Sequence, residues 1–105
     1  MKKLFLDDVR QPPGDDFIIC RSFDEALNYV KEQGCPNFIS FDHDLGWGPD
    51  GYDFAKWLIK LDDESNGKFI PKDFIFGVHS ANPIGAKNIR TVLDNWLSFK
   101  KGLNS

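Results

Sequence analysis

The 105-residue chain is short of cysteine, of positive charge and of long apolar runs. It has two cysteines, Cys20 and Cys35, in no C-x-x-C spacing, so a disulfide scaffold and a zinc ribbon are both excluded. They read as reduced, buried thiols of a cytosolic protein. No run of apolar residues nears the ~20 needed to cross a bilayer. The opening "MKKLFLDDVR" offers only Leu4, Phe5 and Leu6 before two aspartates, too little for a secretory signal core. Lysine and arginine total 13 against 16 acids, a formal net charge of -3. That balance gives no basis for strong nonspecific nucleic-acid or membrane binding, so an anionic ligand would need a local basic patch or a metal ion. P-loop, G-x-S-x-G and Rossmann patterns are lacking, as are internal repeats, linkers and low-complexity segments.

Bulky core material is plentiful: ten Phe and three Trp within a length that suits one domain, residues 1–105. "KKLFLDD" reads as a first strand ended by acids, and "VRQPPGDD" cannot be a helix because of its prolines. "FIIC" is a second strand. In "RSFDEALNYVKEQG", Ser22 and Glu25 stand in capping-box spacing, Phe23, Ala26, Leu27 and Val30 recur at helical intervals, and Gly34 suits the stop. "NFISFD" is a third strand and "GWGPDG" a turn cornered by Pro49 and closed by Gly51. "YDFAKWLIKLDDE" is a helix with Phe54, Trp57, Leu58 and Leu61 on one stripe, and "FIFGVHS" is a fourth strand. Asn82 caps a last helix that has Pro83 in its first position and Ile89, Val92, Leu93, Trp96 and Leu97 as its stripe. The tail "KKGLNS" is expected to fray. The fold class is α/β: a small, mostly parallel four-stranded sheet with about three helices. The direction of the second strand is left open, because a parallel pair normally needs a longer crossover.

Acids and both imidazoles collect at the strand ends. The first strand ends in Asp7-Asp8, the third in Asp42-His43-Asp44, and the fourth in His79-Ser80-Ala81-Asn82. In open α/β sheets ligands bind at the carboxyl ends of strands, so these residues converge on one edge. Carboxylates clustered without matching arginines repel, and a divalent cation relieves them; oxygen donors favour Mg2+, Ca2+ or Mn2+. Asp8 and Asp42 are the preferred ligands, followed by Asp7 and Asp44. The alternative is that these aspartates cap turns and helices, which suffices for Asp50; Asp53 suits a helix N-terminus. Strand alternation puts Asp42 and Asp44 on one face and His43 on the other, unless the strand stops at Asp42. His79 is the better acid–base candidate, since a hydroxyl, an amide and a helix start follow it directly.

"HSANPIGAKNIR" is suited to an anion. Ser80 and Asn82 donate hydrogen bonds, the helix start offers free amides, and Lys87 and Arg90 lie one to two turns in. Arg10 and Arg21 are further phosphate candidates, or else surface partners of the nearby aspartates. Trp47, in the turn, is placed either to stack on a base or to cover the core edge. The "HD" of "FDHDLG" does not indicate an HD metallophosphohydrolase, whose dyad sits in an all-helical fold. "HDL" and "HSA" do not fit the two His-x-Thr/Ser elements of the 2H phosphoesterases.

With those residues in view, the chain resembles a CheY-like receiver domain with truncated flavodoxin-like architecture. The resemblance implies that Asp7 and Asp8 form the acidic metal pair, that Asp42 is the phosphoacceptor, with Asp44 as the other possibility, and that Ser80 is the hydroxyl that contacts the phosphoryl group. The receiver's lysine after a fifth strand has no counterpart, and its first helix is replaced by the proline loop. "LFLDDVRQPP", "SFDEAL", "ISFDHDLG", "GYDFAKWL" and "HSANPIGAKNI" resemble, in order and spacing, the cyclic-phosphate-processing receiver-like domains. That resemblance implies handling of a cyclic phosphate on a nucleotide or an RNA end. The expected activity is a phosphoesterase dependent on Mg2+ or Mn2+, with His79 and His43 as acid–base groups and Asp42 as a ligand or, in a covalent variant, a nucleophile. Ser80, Asn82, Arg10 and Lys87 would hold phosphate oxygens. The alternative is a non-catalytic module that binds a phosphate or nucleotide, or docks a partner.

Overall fold

The computed structural model describes residues 2–46 and 48–103. Trp47 therefore lies outside the described residues. The elements are β1 (Lys3–Leu6), β2 (Phe17–Cys20), α1 (Phe23–Gln33), β3 (Phe38–Phe41), α2 (Gly51–Glu64), β4 (Ile75–Val78) and α3 (Pro83–Leu103). The strands form one sheet in the order β2-β1-β3-β4, and every pair in it is parallel. The question left open by the sequence is settled: β2 runs parallel to β1 although no helix joins them.

Handedness explains the layering. The connections β2-α1-β3 and β3-α2-β4 step across the sheet in one direction, so right-handed crossovers put both helices on the same face. The step from β1 to β2 goes the other way, which sends the loop of residues 7–16 across the opposite face. Alternation along the strands sorts the side chains accordingly. Leu4, Leu6, Cys20, Ile39, Phe41, Phe76 and Val78 join the core shared with Ala26, Val30, Phe54, Leu58, Ile89 and Leu93 of the three helices. Phe41 and Phe54 are fully buried and in ring contact at 6.2 Å; each such side chain contributes about 1.5–3 kcal/mol by burial.

Phe5, Phe17, Phe38, Ser40 and Gly77 have the other parity and stand on the face without helices. Phe5 is nevertheless 4% exposed. Phe17 meets its ring edge-on at 5.9 Å, and the Lys3 ammonium lies 5.3 Å from the Phe17 ring while pairing with Asp16 of the loop at 2.8 Å. The sheet is thus the floor of two unequal layers: a helical one, and a thin proline-rich strap.

The helix caps differ from expectation at three points. Ser22 Oγ accepts from the Glu25 amide at 3.1 Å, but the Glu25 carboxylate accepts from Arg21 N and not from Ser22 N, so the box is half formed. A complete capping box occurs at α2, where Asp50 and Asp53 exchange side-chain and backbone bonds at 2.8 and 3.0 Å. Asp50, for which a capping role sufficed in the sequence, is its N-cap. The third point is the tail, whose residues 100–103 continue α3 instead of fraying, while Asn104 and Ser105 lie outside the described residues. Its last turns are tied down: Lys100 Nζ donates to buried Asp62 at 2.7 Å, and Trp96 Nε1 does so at 2.8 Å. Asn82, as expected, caps the start of α3, its Oδ1 accepting from Gly85 N at 2.9 Å.

Candidate metal and phosphate site

The register of the sheet builds the site. Leu6 lies beside Phe41, and Phe41 beside Val78. The next residues along these strands are Asp7, Asp42 and His79, and they form the following row. The ladder continues into that row: Asp42 N donates to Leu6 O at 2.9 Å, His79 N to Phe41 O at 3.0 Å, and Asp7 N to Cys20 O at 3.1 Å. Parity is preserved, so all three side chains leave on the face of Phe5, Ser40 and Gly77. One ligand atom from each of Asp7, Asp42 and His79 lies within 4.8 Å of the others.

Each member has a distinct environment. Asp7 is fully buried. Its Oδ1 accepts from Val9 N at 2.9 Å and Arg10 N at 2.8 Å, and its Oδ2 meets His79 Nε2 at 2.9 Å. Burial pushes the Asp7 carboxyl up, but these hydrogen bonds outweigh it and hold the group below the usual carboxylate range. Asp42 goes the other way. Burial and the charge of Asp7 raise it, against hydrogen bonding from Ser80 and attraction to His79 and Arg10. His79 has both ring nitrogens engaged: Nδ1 with Ser40 Oγ at 2.7 Å and Nε2 with Asp7. Phe5 lies flat against its ring, centroids 4.5 Å apart and planes 7° from parallel.

Two arginines fasten the loop over this row. Arg10 donates to the His79 carbonyl at 2.7 Å, and its guanidinium stands 3.9 Å from Asp7 Oδ2 with nearly half its side chain exposed. Arg21 donates to the carbonyls of Asp7 and Arg10, so it braces the turn between them. Ser80 Oγ also accepts from Asn82 N at 3.1 Å. Asn82 spends its Oδ1 on the α3 cap, and Lys87 is exposed on the second turn of that helix.

The remaining candidates lie elsewhere. His43 follows Asp42 and so points to the helical side. Its Nδ1 meets Asp44 at 2.9 Å, its Nε2 meets Asp50 at 3.3 Å, and its ring packs against Gly85 of α3. Asp44 is exposed and pairs with His43; Asp8 is half-buried beside Gly46. Both stand outside the Asp7–Asp42–His79 group. Sequence reading missed Ser40 and Phe5. The signal for Ser40 was a lone hydroxyl inside the apolar strand "FISF", where a half-buried polar group needs a partner.

Two carboxylates and an imidazole within a few ångströms are a donor set that suits a divalent cation. The same three groups, without one, form an acid–base cluster whose two carboxyls are driven in opposite directions.

No curated protein matches the chain. A solved structure described as a yeast Spc42 trimeric coiled-coil (amino acids 181–211) in fusion is similar at 20% identity, over 98% of this chain and 80% of that one, with a TM-score of 0.55. At that identity the likeness shows the fold alone. A family model matches residues 2–95, a span that holds all four strands, and on that match the chain belongs to the cyclic-phosphate processing receiver domains.

Proposed function

We propose that this domain hydrolyses a cyclic phosphate on a nucleotide or an RNA end with the help of a divalent cation. The observation that carries the reading is the convergence of Asp7, Asp42 and His79 within 4.8 Å. These three residues would hold the cation, and the imidazole nitrogen favours Mn2+ over Mg2+ in the set. When bound, the ion supplies a Lewis acid for a phosphoryl oxygen and a more acidic water.

The chain's own groups supply the rest. Ring opening forms a P–O bond to the water oxygen, breaks the P–O bond to one ring alcohol, takes a proton from the water and returns one to that leaving alcohol. Asp42 would carry that proton on the oxygen it leaves off the cation, while Asp7 stays ionised and His79, its nitrogens taken by the cation and by Ser40, orients the set. Arg10, 3.9 Å from Asp7 with nearly half its side chain exposed, would meet phosphate oxygens, and Ser80 and the start of α3 offer further donors.

The test is hydrolysis of 2′,3′-cyclic nucleotides with added Mn2+ or Mg2+. Turnover lost on chelation and in His79→Ala is expected; no turnover on any cyclic phosphate with either metal would overturn the reading. A second reading, binding without catalysis, is favoured by one observation: both nitrogens of His79 are already engaged, so neither faces a substrate until a contact opens. Saturable binding of a phosphorylated ligand without turnover would select it.

A further inference from the structure

We propose that Ser40 is the positioning residue of His79, a hydroxyl that serves both tautomers of the ring and so lets it pass between Asp7 and a cation. The inference rests on the cation reading above.

A neutral imidazole carries one N–H, and the two sides of this ring impose different demands on it. Oδ2 of ionised Asp7, 2.9 Å from Nε2, can only accept. Without a cation the proton must then sit on Nε2, Nδ1 is a bare lone pair, and Ser40 Oγ donates to it across 2.7 Å. When Nε2 turns its lone pair to a cation, the proton must move to Nδ1, and Ser40 has to accept. A carboxylate at position 40 could serve only the second state, and an ammonium only the first. A hydroxyl serves both by rotating about one bond.

The surroundings reserve Ser40 for this task. It sits beside Phe5 in the β1–β3 register and beside Gly77 in the β3–β4 register, on the face where His79 emerges one row later. The Phe5 ring stacked at 4.5 Å keeps the imidazole flat over the sheet, so tautomer exchange needs no ring flip. The hydrogen bond to His79 is what satisfies the hydroxyl, and the described residues leave no buried side-chain polar atom without a partner. Outer partners of this kind fix the orientation of metal-binding histidines and typically alter metal affinity by about 10–100-fold.

The test uses the full chain, 15N-labelled, at one fixed neutral pH. With chelator present, ring 15N shifts should report His79 protonated on Nε2 in every variant, since Asp7 fixes that tautomer, while the Nδ1 resonance should move toward that of an unbonded lone pair in Ser40→Ala and keep its place in Ser40→Thr. Titration with Co2+, read by its visible absorption, should give affinity weakened about 10–100-fold in Ser40→Ala and restored by Ser40→Thr. An unchanged Nδ1 resonance, or equal Co2+ affinity, in wild type and Ser40→Ala would overturn the proposal. So would His79 protonated on Nδ1 in the cation-free chain. If the unmutated chain binds no Co2+, the cation reading falls by itself, and the Nδ1 resonance still decides whether Ser40 holds the ring.

Discussion

Gly51 lies so close under Asp42 that a β-carbon on it would stand 1.9 Å from the Asp42 carbonyl oxygen. The same glycine donates its amide to the His43 carbonyl at 2.8 Å. The first residue of α2 is therefore packed against the backbone that aims Asp42, and its lack of a side chain is what allows the approach. Since the obstacle is backbone, Gly51→Ala must displace the Asp42–His43 segment or the start of α2. The expected result is a loss of several degrees in melting temperature together with weakened Mn2+ binding, checked by calorimetry on apo and metal-loaded protein.

Gly85 plays a related part for His43, whose Cγ would lie 2.3 Å from an added β-carbon. Gly85→Ala should push the imidazole out from between Asp44 and Asp50 while leaving the row of Asp7, Asp42 and His79 in place. The ring resonances of His43 should move and those of His79 should not. Cyclic-phosphate turnover should fall by less than tenfold, against near-complete loss in His79→Ala. Equal losses in the two variants would mean that His43 works inside the site.

Two buried carboxylates placed side by side cost stability, and the raised proton affinity of Asp42 marks where that cost falls. Asp42→Asn removes the repulsion while keeping the shape of the side chain. In chelator at neutral pH the variant should melt several degrees above wild type, corresponding to about 1 kcal/mol in a domain of this size, and should lose the cation-induced stabilisation. A lower melting temperature would show that hydrogen bonding at Asp42 outweighs the repulsion.

Far from the site, Asp62 joins α2 to the end of α3. Its Oδ1 accepts from Phe69 N and Ile70 N at 2.9 and 2.8 Å, and its Oδ2 from Trp96 and Lys100. Burial raises the Asp62 carboxyl, but those donors prevail and hold it below the ordinary carboxylate range. A depressed folded-state pKa gives stability that is present above the unfolded value, about 4, and is lost as pH falls through the folded one. Denaturant midpoints should therefore drop below about pH 4 in wild type, with a shallower drop in Asp62→Asn. Asp62→Ala should cost about 3–5 kcal/mol at neutral pH, because it leaves the Lys100 ammonium without its carboxylate in a buried place.

Much of the fold was legible before any coordinates. Short apolar strands, helical stripes and the caps at Ser22 and Asn82 are local chemistry, written in neighbouring residues. The order of residues 100–103 was not legible, because the partner that holds Lys100, Asp62, is thirty-eight positions away along the chain. The capping role of Asp50 is local, but its contact with His43 is not, since a turn signal does not reveal which side chain folds back onto it.

For the site, the sequence by itself determined that acids and imidazoles would gather at the strand ends, since parallel strands with alternating helices must present those ends on one edge. Only the tertiary structure decided which of them meet. Register sets Asp7, Asp42 and His79 in one row, and parity sends His43 to the other face. Which residues share a row depends on how three separate strands align, and no single segment of the chain carries that alignment. Ser40 and Phe5 follow from the same cause: each touches His79 only because strands distant in sequence lie side by side in the sheet.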